Sequence, residues 1–256
     1  MPLYQDTDVR KILYISSVAL QLSGGDGSQS TRFVRDIAAY LSASCSEFFH
    51  VKVVPPAWIH IELTDPTLAA WLNFLIDEKR HLKECEQINQ FTNIRVGELH
   101  PQDCGLKNID LCFQVQYTHA RCCSLLKLAS RDGLIKIVQD GANILELSPT
   151  QSIPWLDCDQ KLRFYRPEEL RLLALLVKTV DNLVFPDSKS VVNWNTAALR
   201  LSAAFESFWC ECRIWGEVKI NSLELAQARL GLLMATQWVL QSVLEGKLGI
   251  VAPWEL

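Results

Sequence analysis

The sequence has no apolar run approaching the roughly 18 to 20 residues that a membrane-crossing helix needs. Its densest stretch, Leu170 to Val184, is interrupted by Arg171, Lys178, Thr179, Asp181 and Asn182. The amino terminus, Met1 to Lys11, is polar and acidic, without the basic-then-apolar order of a secretory signal. A disulfide framework is missing too. The nine cysteines are an odd number, Cys122 and Cys123 are adjacent, and Cys210-x-Cys212 has no second pair at zinc-finger spacing. Most of the thiols therefore read as buried side chains of a soluble protein in the reducing cytoplasm, and no metal or cofactor is expected.

A surplus of positive charge is also lacking. Residues 1–104 carry 9 Lys and Arg against 13 Asp and Glu, and residues 105–256 carry 16 of each, so the net charge is −4. This excludes a generic polyanion binder, and neither DNA nor a membrane is an expected partner. RNA could be held only by a local basic patch, and then with salt-sensitive affinity.

Familiar catalytic signatures are absent. No pair among His50, His60, His81, His100 and His119 has the i, i+4 spacing of a helical zinc hydrolase, and there is no Gly-x-Ser-x-Gly turn or dinucleotide glycine fingerprint. The loop Gly24-Gly25-Asp26-Gly27-Ser28 is not followed by the Lys-Ser/Thr of a phosphate loop. His119 and Cys123 are one helical turn apart, which is simple helix geometry and not a nucleophile with its base.

What is present is ample hydrophobic material, 49% of residues against 21% charged, enough for one large domain or two smaller ones. Leu13, Ser17 and Leu20 predict a helix over Leu3 to Ser23, and Ser28 or Ser30 then caps a second with Phe33, Ile37, Ala38 and Leu41 buried. Phe48 to Val54 and Trp58 to Leu63 read as strands joined at Pro55-Pro56, with Ile59, Ile61 and Leu63 on one face. Thr64 or Asp65 caps a helix beginning at Pro66, whose apolar face is Leu68, Trp71, Leu72 and Leu75. The apolar pattern then thins. Further on, Phe113, Tyr117, Ala120, Ser124 and Leu128 share one helical face, while residues 133–154 fit either a short helix or a hairpin.

Pro167 opens a helix with Leu170, Leu173, Val177, Val180 and Val184 as its stripe. Steps of four and three mark Trp194, Ala198, Leu201, Phe205, Phe208, Cys212 and Trp215 as a core stripe stopped by Gly216. A last helix spans about residues 222–244. The fold expected is mainly α: a small N-terminal α+β domain, residues 1–76, a connector, residues 77–108, and a C-terminal helical bundle, residues 109–256.

The segment Val115-Gln116-Tyr117-Thr118-His119-Ala120-Arg121 resembles a signature helix of arginyl-tRNA synthetases, at the passage from catalytic domain to anticodon-binding bundle. Ala203 to Phe208, Cys212-Arg213-Ile214, Ala228-Arg229-Leu230 and Leu248 to Pro253 follow in that family's order. Ala197-Ala198-Leu199-Arg200 keeps Ala-Leu-Arg of the Asp-Ala-Leu-Arg motif that names the bundle. Residues 10–75, ending in Val53 to Leu63, are similar to the family's additional N-terminal domain, with Ala57 in place of its usual Gly. The family's catalytic domain would lie between these ends, where only about 35 residues stand, and its His-x-Gly-His motif is nowhere in the chain.

The resemblance implies a non-catalytic, tRNA-binding accessory protein that holds an arginine-type tRNA for a partner enzyme or for regulation. The alternative is a protein-interaction scaffold that has lost RNA binding. Candidate tRNA-binding residues are Tyr117, His119 and Arg121 at the start of the bundle, Arg213, Arg229 and Trp254 toward its end, and the basic cluster Lys161, Arg163 and Arg166 with Phe164 and Tyr165 interleaved.

Overall fold

The computed structural model describes residues 3–6, 11–24, 26–85, 106–140, 144–147, 152–185 and 192–256. In chain order its elements are β1 (Tyr4–Gln5), β2 (Leu13–Ser16), α1 (Val18–Leu22), α2 (Gly27–Cys45), β3 (Phe49–Val54), β4 (Trp58–Leu63) and α3 (Asp65–Cys85). Then follow α4 (Leu106–Arg131), β5 (Ile137–Asp140), β6 (Ile144–Leu147), α5 (Pro167–Val184), α6 (Trp194–Glu211), α7 (Glu217–Asn221) and α8 (Leu223–Lys247). Most of the expected connector lies outside the described residues, since α3 continues to Cys85 and α4 begins at Leu106.

Two compact units result, and neither is continuous in sequence. The first comprises Met1–Trp71 and Leu156–Ala174, the second Leu72–Trp155 and Leu175–Leu256.

In the first unit an antiparallel sheet of order β1-β2-β4-β3 carries α1 and α2 on one face. Ile59 and Ile61 of β4 point into that layer with Ala19, Val34 and Ala57, and Phe33, Ile37 and Leu41 pack around them. The β3–β4 strands and the buried stripe of α2 are as the alternation predicts. The N-terminal helix expected over Leu3 to Ser23 is instead two strands and the five-residue α1. Leu13 to Ser16 pairs with β1 on one side and β4 on the other. Those cross-strand partners outweigh a weak helical spacing that no local sequence feature reinforces.

The cap of α2 also differs from expectation. Asp26, and neither Ser28 nor Ser30, accepts from the backbone N–H of Ser28 at 2.8 Å and of Gln29 at 3.3 Å. The Ser28 hydroxyl donates to the same carboxylate, and with the Gln29 and Ser28 amides it holds the Asp26 pKa below the ordinary 3.8. A carboxyl depressed in the folded state stabilises above its unfolded pKa and loses that contribution as pH falls through the folded value. Asp26→Ala is therefore expected to flatten the acid limb of the unfolding midpoint, measured from about pH 6 down to about pH 2. An unchanged acid limb would count against the cap.

The second unit is built around α8, which is buried on nearly every side, as a helix at the centre of a bundle must be. Helices α4 and α6 pack on it and on each other. Ala198, Leu201, Phe205, Phe208 and Cys212 are all buried, as the four-three spacing predicts. Gly216 does not stop α6, which ends at Glu211; its positive φ of 72° forms the turn into α7. Between residues 133 and 154 the hairpin alternative is realised, with Ile137 opposite Leu147 and Asp140 opposite Ile144, although 141–143 and 148–151 lie outside the described residues.

One stripe is reversed. Of the face of α4 marked by Phe113, Tyr117, Ala120, Ser124 and Leu128 only Ala120 is buried; the other four are exposed, and Val115, His119, Cys122, Leu126 and Ala129 are buried instead. Both sets have helical spacing, so local pattern alone does not choose between them. Packing on α8 and α6 does.

Candidate nucleic-acid interface

Phe113, Tyr117 and Arg121 stand one helical turn apart along the solvent side of α4. Their side chains form a row of planar groups. The Phe113 and Tyr117 rings stack with centroids 6.4 Å apart and planes 26° from parallel, and both remain about half exposed, at 56% and 46%. The Arg121 guanidinium lies 5.4 Å above the Trp209 ring of α6 and is bonded to Glu206 at 3.2 Å. Trp209 in turn meets Trp215 edge-on at 5.9 Å, and the Trp215 indole N–H donates to Asp132 at 2.8 Å. Stacked aromatic faces and a guanidinium plane are the elements on which unpaired bases stack.

Phe113 and Trp209 extend the row beyond the residues singled out from sequence. Trp209 was legible: it follows Phe208, a core position of α6, and so falls off the buried stripe.

Two expected contacts prove to be interior. His119 is fully buried; its Nδ1 lies 2.8 Å from the Pro253 carbonyl, so that nitrogen carries the proton, and its Nε2 accepts from the Gln237 amide at 2.7 Å. Arg229 is only 2% exposed on α8 and donates to the carbonyl of Arg213. Neither presents a group to solvent. The Arg213 side chain is exposed while its carbonyl accepts the hydrogen bond from Arg229. The Cys122 thiol is driven well above its ordinary pKa, first by burial and then by Cys123 and Glu206, which disfavours a thiolate there.

His119 instead anchors the chain end. Gln116 donates to the Val251 carbonyl at 2.8 Å, Trp254 meets the His119 ring edge-on at 6.1 Å, and Lys127 bonds Glu255 at 2.9 Å. Residues 251–255 are thus strapped along α4, with Trp254 half-buried. No sequence signal foretells this, because the partners stand 128 to 135 positions apart.

Comparison with known proteins places this geometry. The family model of the DALR anticodon binding domain matches residues 115–256, more than half of the chain. The chain belongs to the DALR anticodon-binding family. Among curated proteins, an arginine–tRNA ligase of Synechococcus is 33% identical over 143 residues, covering 54% of this chain and 21% of the ligase. One from Ruminiclostridium cellulolyticum is 34% identical over 142 residues, covering 55% and 21%. The match thus spans about a fifth of those ligases' length. No solved structure matches the chain significantly.

The DALR domain and the second compact unit do not coincide. Residues 156–174 fall within the family match but pack in the first unit, and they carry the expected basic cluster. There Lys161 pairs with Asp65 at 3.6 Å, Arg163 is half-buried and Arg166 is exposed. Phe164 is buried and Tyr165 exposed, so only one of the two interleaved rings is open to solvent. The nine candidates thus divide, with Lys161, Arg163 and Arg166 in the first unit and the other six in the second. Within the DALR domain Tyr117, Arg121, Arg213 and Trp254 keep exposed or half-exposed side chains, while His119 and Arg229 serve its interior. Among the described residues no cluster of potential metal ligands occurs, and no helix is long and apolar enough to cross a membrane.

Proposed function

We propose that this chain binds an arginine-type tRNA through the α4 row of its DALR domain, does not charge it, and holds it for a partner enzyme or for regulation. The observation that carries the reading is the row of Phe113, Tyr117 and the Arg121–Trp209 pair in a domain of an anticodon-binding family. The arginine type is supported by the two ligases the chain resembles. The non-charging role is supported by the lack of a His-x-Gly-His motif in the 256 residues. The resemblance of residues 10–75 to the family's additional N-terminal domain supports a second RNA contact there.

Titrating the protein with an arginine tRNA transcript at low and physiological salt tests this. Affinity should fall as salt rises, because phosphate contacts release counterions. Alanine at both Phe113 and Tyr117 should weaken binding by about tenfold per ring lost, since base stacking contributes about 1 to 3 kcal/mol each. The thermal midpoint should hardly move, as both rings are exposed. Absence of binding even at low salt would overturn the reading and favour the scaffold.

A further inference from the structure

Within the second unit the C-terminal half of α5 and the N-terminal half of α6 enclose a cleft of about 200 Å³. Each helix lines it with the same i, i+3, i+4, i+7 pattern, from Leu175 to Asn182 and from Asn193 to Arg200. The pattern gives each wall one cation, Lys178 or Arg200, and one carboxamide, Asn182 or Asn193. No carboxylate is among the described lining residues. Arg121, Lys127, Lys161 and Lys219 each have a carboxylate partner, whereas Lys178 and Arg200 make no ion pair among the described residues. Asn193 has its carboxamide oxygen committed to the Thr196 N–H at 2.9 Å, which leaves its NH₂ group as a donor.

We propose that this cleft is a phosphate-binding site. Two unpaired cations match the charge of a phosphate dianion. The guanidinium supplies a planar fork, the ammonium a point charge and the carboxamides further donors. The volume accommodates a phosphate with a sugar-sized group attached, whose carbon atoms would rest on Leu175, Val192 and Ala197. The same chemistry could come from a free phosphate monoester or from a phosphate of an RNA strand. The site shares no residue with the α4 row, so it stands or falls independently of the tRNA reading.

The test is an NMR titration of the full chain with ribose 5-phosphate, and in parallel with a short single-stranded RNA oligomer. The Asn193 side-chain amide and the backbone amides of Thr196 and Arg200 are followed. Saturable shifts at these positions are expected, with affinity lowered about tenfold by Lys178→Gln or Arg200→Gln and abolished in the double variant. Both side chains are exposed, so the variants should keep the parent spectrum elsewhere. Shifts with ribose 5-phosphate alone identify a free phosphate monoester as the ligand, and shifts with the oligomer that the double variant abolishes identify an RNA phosphate. The absence of shifts with either probe, or shifts that persist in the double variant, overturns the proposal.

Discussion

Arg229→Ala is expected to lower folding stability by about 3 kcal/mol, not to remove a contact with a ligand. The side chain is 2% exposed on the central helix, so truncation leaves a cavity in a close-packed region. It also strips the Arg213 carbonyl, just beyond the end of α6, of its donor. Any loss of RNA binding should then track the unfolded fraction. Arg121→Ala is the instructive contrast. Its ion pair with Glu206 is about one-third exposed on each side, so breaking it should cost under about 1 kcal/mol while exposing the Trp209 face. Chemical denaturation of both variants beside RNA titration separates the two roles. An unfolding midpoint for Arg229→Ala equal to that of the parent would remove the structural role given to it here.

The second large effect is expected at Gly231, in the middle of α8. In an ordinary helix, replacing Gly with Ala gains about 1 kcal/mol. Here a Cβ would press into the indole of Trp155 and come within 2.9 Å of Ile153 Cγ2. Trp155 has little freedom to retreat: it is 2% exposed, and its Nε1 donates to Asn73 at 2.7 Å. Overpacking of this kind costs about 1 to 3 kcal/mol, which exceeds the gain in propensity. Gly231→Ala should therefore lower the denaturation midpoint, whereas the same change at Gly246 on the same helix, with open space around it, should raise it slightly. A rise at both positions would show that Trp155 yields readily and that the contact carries no cost.

Elements with a single strong period were legible. The core stripe of α6 is right because large apolar side chains at steps of four and three leave one face to bury. The β3–β4 hairpin is right because Ile59 and Ile61 alternate with His60 and Glu62 after the Pro55-Pro56 turn. The site was legible only in part. Tyr117 and Arg121 carry a family motif and reach the surface, while His119 and Arg229, in motifs of the same family, do not. A motif records which residues a family keeps, without saying whether they are kept for packing or for contact.

Composition and motif by themselves established a mainly helical chain with an anticodon-binding-type bundle, and the 256 residues hold no Gly-x-Ser-x-Gly turn, phosphate loop or His-x-Gly-His motif. Composition, charge balance and side-chain spacing are read along the chain itself, and together with the family motifs they suffice for that. Only the tertiary structure decided which face of α4 is buried, that Leu13 to Ser16 is a central strand, that residues 156–174 belong with the first unit, and that the chain end is tied to α4. Each of these depends on partners tens to more than a hundred residues away. The energy that selects them, cross-strand pairing or burial against a particular helix, exists only once the chain has closed on itself.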